Sequence, residues 1–338
     1  MRYKLATYYH STDLPVLYGG DTFHSVDLFR VYELTPGYTP LLIVASQLGE
    51  PVAWLLAVIR KTRKWLLAGI AKQCVVYGNG VYLSDKGRVG DAGMADKDFK
   101  EEVFGLLLGH LTWQAQRRCA FVEFRNLDNS LFGYRYFREI GYFPVNWLRV
   151  RNSLHSLTKV EQRFSASRVR QVRKSLKSGT VARKAVSYEE VESFTRMLKA
   201  VYSSRIRRHF PSIEFFRYLY KVLVPQGKAN IFVVVYKDKI IGGAVCLYSG
   251  TNAYLWFSGG MRKTYALQYP GVVAVWKALD NALAQGFRHL EFMDVGLPFR
   301  KHGYRTFVLR FGGKQSSTRR WFHVTWKWLN AVLVKFYV

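Results

Sequence analysis

In the stretch SASRVRQVRKSLKSGTVARK, residues 165–184, Arg170, Arg173, Lys174 and Lys177 recur at i, i+3, i+4 and i+7, so a helix there carries its cations in one stripe. Residues 201–211, VYSSRIRRHFP, follow a second helical run and add Arg205, Arg207 and Arg208. Guanidinium forks bind phosphate or carboxylate through paired hydrogen bonds, so both clusters point to an anionic substrate; the bland alternative is a pair of solvated faces. A third candidate is RKTYALQYPGVV, residues 262–273. Pro270 suits the first position of a helix, where backbone N–H groups are free, and Arg262, Lys263 and Tyr269 precede it. The run FVLRFGGK, residues 307–314, reads as a strand closing in two glycines, with Val308 and Arg310 on one face. No Ser/His/Asp or Cys/His arrangement can be assembled, and His110, His155, His209 and His323 lack metal-ligand spacing. The expected chemistry therefore uses neither a covalent nucleophile nor a metal.

These residues need a large scaffold. A chain of 338 residues exceeds the size at which one core stops growing, and its 49% apolar content suffices for two. The net charge of +28 predicts an anionic partner: nucleic acid, membrane surface or phosphorylated substrate. Cys74, Cys119 and Cys246 are too few and too scattered for a disulfide framework, and read as buried thiols in a reducing cytosol. The N-terminal residues lack a secretory apolar core, and the apolar segment 41–59 is broken by Gly49, Glu50 and Pro51 into two strands. A cytoplasmic chain without a membrane span is expected.

A long-period repeat emerges from the pattern. FGLLLGHLTWQAQRRCAFVEF, from Phe104, reads as an amphipathic helix followed by a strand, and VVAVWKALDNALAQGFRHLEF, from Val272, repeats it at an offset of 292 − 124 = 168. Val122-Glu123-Phe124 then falls on Leu290-Glu291-Phe292. Upstream of each helix, LGEPVAWLLAVI and KDKIIGGAVCLY are a turn and an apolar strand; ANIFVVVY makes the second a hairpin. Each half is thus a mixed α/β layer. The basic helix between them, capped by Ser165 or Ser167 and ended by Gly179, has Val169, Val172 and Leu176 as its apolar stripe. The boundary falls near residue 155.

LEFMDVG (residues 290–296), Gly303 and FVLRFGGK carry a resemblance to the FemAB/FemX-type branch of the GNAT acyltransferases, proteins with two GNAT-like domains in tandem. Asp294 and Gly296 match the family's D-x-G element; Phe307, Phe311, Gly312 and Gly313 match F-K-x-x-F-G-G, with Val308 in place of the lysine. The resemblance is best from about Ser165 onward and architectural before that. It implies an α/β fold of two tandem GNAT-like domains, each a mixed, largely antiparallel sheet flanked by helices. Residues 1–155 form a degenerate copy, and residues 156–338 the acyltransferase domain.

The resemblance also implies direct attack of an amine on a donor held in a split between two central strands. The donor strand is AYLWFSGGM, residues 253–261, so Trp256, Ser258, Gly259, Arg262, Lys263 and Tyr269 are the implied donor-binding residues. The donor is acyl-CoA, a carrier-bound acyl group or an aminoacyl-tRNA, since Tyr269-Pro270-Gly271 is no usual pyrophosphate loop. Asp294 is the implied base, ahead of Glu291 and His302. Arg170, Arg173, Lys174, Arg205, Arg208 and Arg310 are the implied contacts to an anionic acceptor, such as an envelope or lipid precursor in a bacterial cytoplasm. DNA is not an expected partner.

The C-terminal RRWFHVTWKWLNAVLVKFYV mixes aromatic and basic residues. It suits a last strand and helix packed on the core, the preferred reading, or an interfacial segment on an anionic inner membrane. The rival from another class is a non-catalytic RNA- or membrane-binding protein on an inactive acyltransferase scaffold, to which Val308 lends weight.

Overall fold

The computed structural model describes residues 3–19, 21–61, 72–83, 92–127, 129–203 and 210–337. The chain divides into two compact units, Met1–Asn146 with Thr318–Val338, and Trp147–Ser317. The first contains β1 (Lys4–Tyr8), α1 (Val26–Leu34), β2 (Tyr38–Gln47), β3 (Glu50–Lys61), β4 (Lys72–Tyr77), β5 (Val81–Tyr82), α2 (Ala92–Gln116), β6 (Phe121–Arg125) and α3 (Tyr134–Glu139). Strand β7 (Phe143–Ser153) carries the chain into the second unit. There follow α4 (Ala166–Lys177), β8 (Val181–Lys184), α5 (Tyr188–Val201), α6 (Ile213–Leu223), β9 (Ala229–Tyr236), β10 (Lys239–Ser249), β11 (Asn252–Gly260), α7 (Pro270–Ala284), β12 (His289–Phe292) and α8 (Gly303–Leu309). Strand β13 (Lys314–Val324) returns the chain to the first unit, which α9 (Lys327–Phe336) completes.

The segment 318–338 thus packs with the first unit, whereas the sequence boundary placed it in the second. The cause is a long-range pairing that no local pattern encodes: β13 runs antiparallel to β6, with Phe322 opposite Glu123. Likewise β7 pairs antiparallel with β12.

Within each unit the strand sequence is the same. The first runs β1-β2-β3-β4-β6-β13 and the second β8-β9-β10-β11-β12-β7, every pair antiparallel except β4·β6 and β11·β12. The 168-residue offset lands on this equivalence, since Glu123 and Glu291 occupy the two matching parallel strands. In the first unit Glu123 accepts from Arg125 (2.9 Å) and Arg320 (2.8 Å); in the second, Glu291 accepts from Arg151. Both carboxylates are buried, and each is neutralised by an arginine from the next strand.

The segment 41–59 splits as expected. Leu48 and Gly49 take φ of 52° and 88°, a two-residue turn of the kind that matches strand twist. Strands β2 and β3 each bury a continuous run of six or more residues, because helices cover the sheet. Among the described residues no helix is long and apolar enough to cross a membrane.

The expected apolar faces of α2 and α7 are buried: Phe104, Leu107, Leu108 and Leu111 in one core, Val272, Val275 and Leu279 in the other. Each such side chain contributes about 1.5–3 kcal/mol of transfer free energy. Cys74, Cys119 and Cys246 are buried, and burial pushes their thiols up, Cys119 to about 12.

Two histidines of the first unit are buried as neutral rings. His24 lies beneath backbone N–H groups of Leu56 (3.0 Å) and Gly80 (2.9 Å), and burial lowers its pKa. His323 is pushed down to about 4, chiefly by burial. A folded-state value below the unfolded one means that the unfolded chain binds the extra proton first. Stability is therefore fully present above about pH 6.5 and is lost as pH falls toward about 4. The loss from His323 is on the order of 2–3 kcal/mol. Thermal unfolding of the chain and of His323→Gln, followed from pH 7 downward, should show the steeper decline in the unaltered chain.

Candidate active site

Strand β11 is apolar at its start and turns small at Ser258, Gly259 and Gly260, and its pairing changes at the same place. Residues Asn252 to Leu255 pair parallel with His289 to Phe292 of β12, and there the pairing ends. Strand β11 continues to Gly260 alongside β10, with no second strand paired to it among the described residues. The register with β10 shifts between Val245 and Cys246, so Trp256 is the extra residue of a bulge. A bulge bends and twists its strand, and this one coincides with the parting of β11 from β12. Beyond Phe292, where β12 ends, the β12 side of β11 has no paired strand among the described residues. In the first unit, β4 pairs with β6 from Gln73 to Tyr77, and after Gly78 to Gly80 the chain continues alongside β3 as β5, with Val81 opposite Trp54.

The parted edge is lined with hydroxyls. Tyr202, just after α5, donates to the Ser258 carbonyl (3.1 Å), beyond the last β11·β12 pair. Tyr304, in the first turn of α8, lies 3.4 Å from the Ser258 hydroxyl. Burial raises both phenols, so both keep their protons at neutral pH and remain donors. Asp294 stands beyond the end of β12, exposed, with φ of 60°. Its charge is felt by Tyr202 and Tyr304, whose phenols it helps raise, and by His302, where it opposes the lowering by burial and Arg305. Ser258 and Asp294 thus share Tyr202 and Tyr304 as neighbours.

Arg305 positions this loop. Its guanidinium donates to the carbonyls of Leu297 (2.7 Å) and Arg300 (2.6 Å), while the His302 ring caps α8 by accepting from the Arg305 N–H. Tyr202, Tyr304 and Arg305 were not among the residues expected from the sequence. The signal for α8 was available: Tyr304, Phe307, Val308 and Phe311 recur at i, i+3, i+4 and i+7.

That spacing corrects the reading of FVLRFGGK. Phe307 to Leu309 are helical, not a strand, so Val308 and Arg310 do not share a strand face. Val308 is fully buried in the core, where the lysine that the resemblance implies would not be accommodated. Arg310 is exposed at the end of α8, and its carbonyl accepts from the Ser165 N–H (2.9 Å). The glycines do permit close approach. A Cβ at Gly312, where φ is 84°, would collide with the Arg163 carbonyl, and one at Gly313 with the Asn152 side chain. We expect Gly312→Ala to cost about 2–4 kcal/mol, from backbone strain and overpacking together, read as a fall in Tm.

The phosphate-binding candidate is built as follows. Helix α7 begins at Pro270, and Tyr269 before it adopts φ 44° and ψ 48°. The helix start rests on glycines: a Cβ at Gly260 would lie 2.6 Å from the Gly271 nitrogen. Ser175 of α4 donates to the Gln268 carbonyl, tying the basic helix to this turn. Arg262 and Lys263 are exposed between β11 and α7. Gly259 serves packing, since a Cβ there would lie 2.6 Å from Leu198, and Trp256 packs edge-on against Phe215 (5.5 Å).

Helix α4 forms as expected, with Gly179 at φ 87° after its end, although the Ser165 hydroxyl makes no capping bond. Arg170, Arg173, Lys174 and Lys177 are exposed and, with Ala166 and Val169, line an open groove of about 720 Å³. Its buried face differs from the expected stripe: Leu176 is exposed, whereas Arg168 is buried. Arg168 lies over the Phe307 ring (4.6 Å), and burial, with Arg310 nearby, pushes it down to about 10. Arg205, Arg207 and Arg208 lie outside the described residues. Among the described residues no cluster of His, Cys, Asp or Glu is arranged to hold a metal ion.

Comparison with known proteins agrees with this geometry. Residues 163–301 match the family described as Acetyltransferase (GNAT) domain. Among solved structures, the chain is similar to FemX (TM-score 0.62, 13% identity, 94% of this chain and 95% of that one). It is also similar to a tandem GNAT protein from the clavulanic acid biosynthesis pathway (TM-score 0.58, 11% identity, 96% and 98%). A third is the C-terminal domain of a putative lysylphosphatidylglycerol synthetase from Agrobacterium fabrum (TM-score 0.57, 13% identity, 94% and 92%). No curated protein matches the chain by sequence. Residues 163–301 thus match a GNAT acetyltransferase domain, within a chain that has the tandem GNAT fold.

Proposed function

We propose that the second unit is an N-acyltransferase that moves an acyl or aminoacyl group from an activated donor to an amine of an anionic acceptor. The observation that carries this is the parting of β11 from β12 after Leu255 and Phe292. An unpaired strand edge offers N–H and C=O groups to an extended donor arm, as a missing strand would use them. The donor carbonyl carbon then lies near the Ser258 end of β11, and the amine attacks it. The C–N bond forms as the thioester C–S bond, or the ester C–O bond of an aminoacyl-tRNA, breaks. Asp294 takes the proton from the amine, and the Tyr304 hydroxyl supplies one to the leaving group. Backbone N–H groups of the β11 edge stabilise the oxyanion.

The acceptor's charge is met by the α4 stripe of Arg170, Arg173 and Lys174 and by Arg310, with Arg205 and Arg208 as further contacts. The net charge of +28 supports such an acceptor, and one structural neighbour is named for an amino acid joined to an anionic lipid. An envelope or lipid precursor in the cytoplasm fits this chemistry. The first unit serves as a degenerate copy.

The test is a thiol-release assay with acyl-CoA run beside an aminoacyl-tRNA transfer assay, each across amines bearing phosphate or carboxylate. Turnover with one donor is expected. No turnover with either, by protein that melts cooperatively, would favour a non-catalytic RNA- or membrane-binding role.

A further inference from the structure

Helix α9 buries little of what it carries. Trp328, Val332 and Phe336 recur every fourth residue and are 71%, 57% and 82% exposed. Trp326 and Tyr337, at its two ends, are 40% and 44% exposed. The helix is held by its other side: the buried Asn330 accepts from the Val324 N–H (2.9 Å) and donates to the Gly141 carbonyl (2.9 Å), and Tyr337 stacks on Phe143. The segment does form the expected last strand and helix, yet the packing leaves an apolar face outward.

Charge chooses among occupants for that face. No Asp or Glu occurs after Asp294, and Lys327 and Lys335 flank the exposed aromatics. An apolar protein partner would leave those lysines unmatched. A bilayer with anionic headgroups matches both features, the aromatics settling at the acyl boundary and the lysines at the phosphates. Tryptophan and tyrosine suit such a boundary because each has an apolar body and a polar edge. A helix of this length spans about 15 Å, far short of a bilayer core, so it lies in the interface plane and does not cross.

We propose that α9 docks the protein on anionic phospholipid, with Trp328, Val332 and Phe336 inserted and Lys327 and Lys335 at the headgroups. This inference goes beyond the transferase reading and does not depend on it.

The experiment is flotation of the full chain with vesicles of phosphatidylcholine alone or mixed with phosphatidylglycerol. Quenching of tryptophan emission by bromine-labelled lipid tails would be measured in parallel. Binding and quenching are expected only with phosphatidylglycerol. Trp328→Ser combined with Phe336→Ser should weaken binding by on the order of tenfold or more with an unchanged Tm, since both side chains are exposed. Lys327→Gln combined with Lys335→Gln should weaken it most at low salt. Three results would overturn the proposal: no binding, binding without quenching that survives the Trp328/Phe336 change, or concentration-dependent self-association abolished by that change. The second would assign binding to the overall charge, the third to another copy of the chain.

Discussion

Replacing Asp294 with asparagine should lower the transfer rate by about 10²–10⁴-fold and leave Tm unchanged. Asparagine keeps the shape of the side chain and accepts the positive φ of this position as readily as aspartate does, so the backbone beyond β12 is not disturbed. The ability to take a proton is removed, together with the negative charge. The side chain is exposed, so water screens the interactions of its charge. Tyr304→Phe should fall short of this effect, at about 10–10²-fold, since water can replace one hydroxyl while the ring keeps its stacking on Phe307. Activity of Asp294→Asn within twofold of the unaltered protein would remove the carboxylate from the chemistry.

The largest effect on stability is expected from Glu123→Ala. Its carboxylate is buried and receives Arg125 and Arg320, both themselves well shielded from water. Removing it takes the shared carboxylate from two shielded guanidinium groups, for a loss of about 3–5 kcal/mol. For a unit of this size that lowers Tm by roughly 10 °C. Glu139→Ala breaks a comparable but exposed pair with Arg135, and Tm should hardly move. Melting curves of the two variants compared directly decide the point; equal shifts would show that the Glu123 cluster is no keystone of the first sheet.

Glu123 also shows how far the sequence could be read. Its equivalence with Glu291 was legible, because helix-then-strand patterns keep their period wherever they fold. The arginines that neutralise the pair were not, since Arg320 lies 197 residues from Glu123 and Arg151 lies 140 from Glu291. The same long-range pairing moved the last strand and helix into the first unit.

At the site, the helix start at Pro270 was readable from a local signal, whereas Asp294 and Ser258 were expected only through the resemblance. Helix α8 was not read, because a five-residue apolar run fits strand and helix alike until Tyr304 is included. Tyr202 meets Ser258 just beyond the bulge at Trp256, a contact that propensity does not encode.

The central claim is that the parted edge of β11 receives the donor. Amide hydrogen exchange of the chain, with and without acyl-CoA or aminoacyl-tRNA, tests it most directly. The account predicts that the productive donor slows exchange at residues 256–260 and leaves β4 and β6 unchanged. Protection confined to other strands, or none in 256–260 with a donor that is turned over, would contradict it.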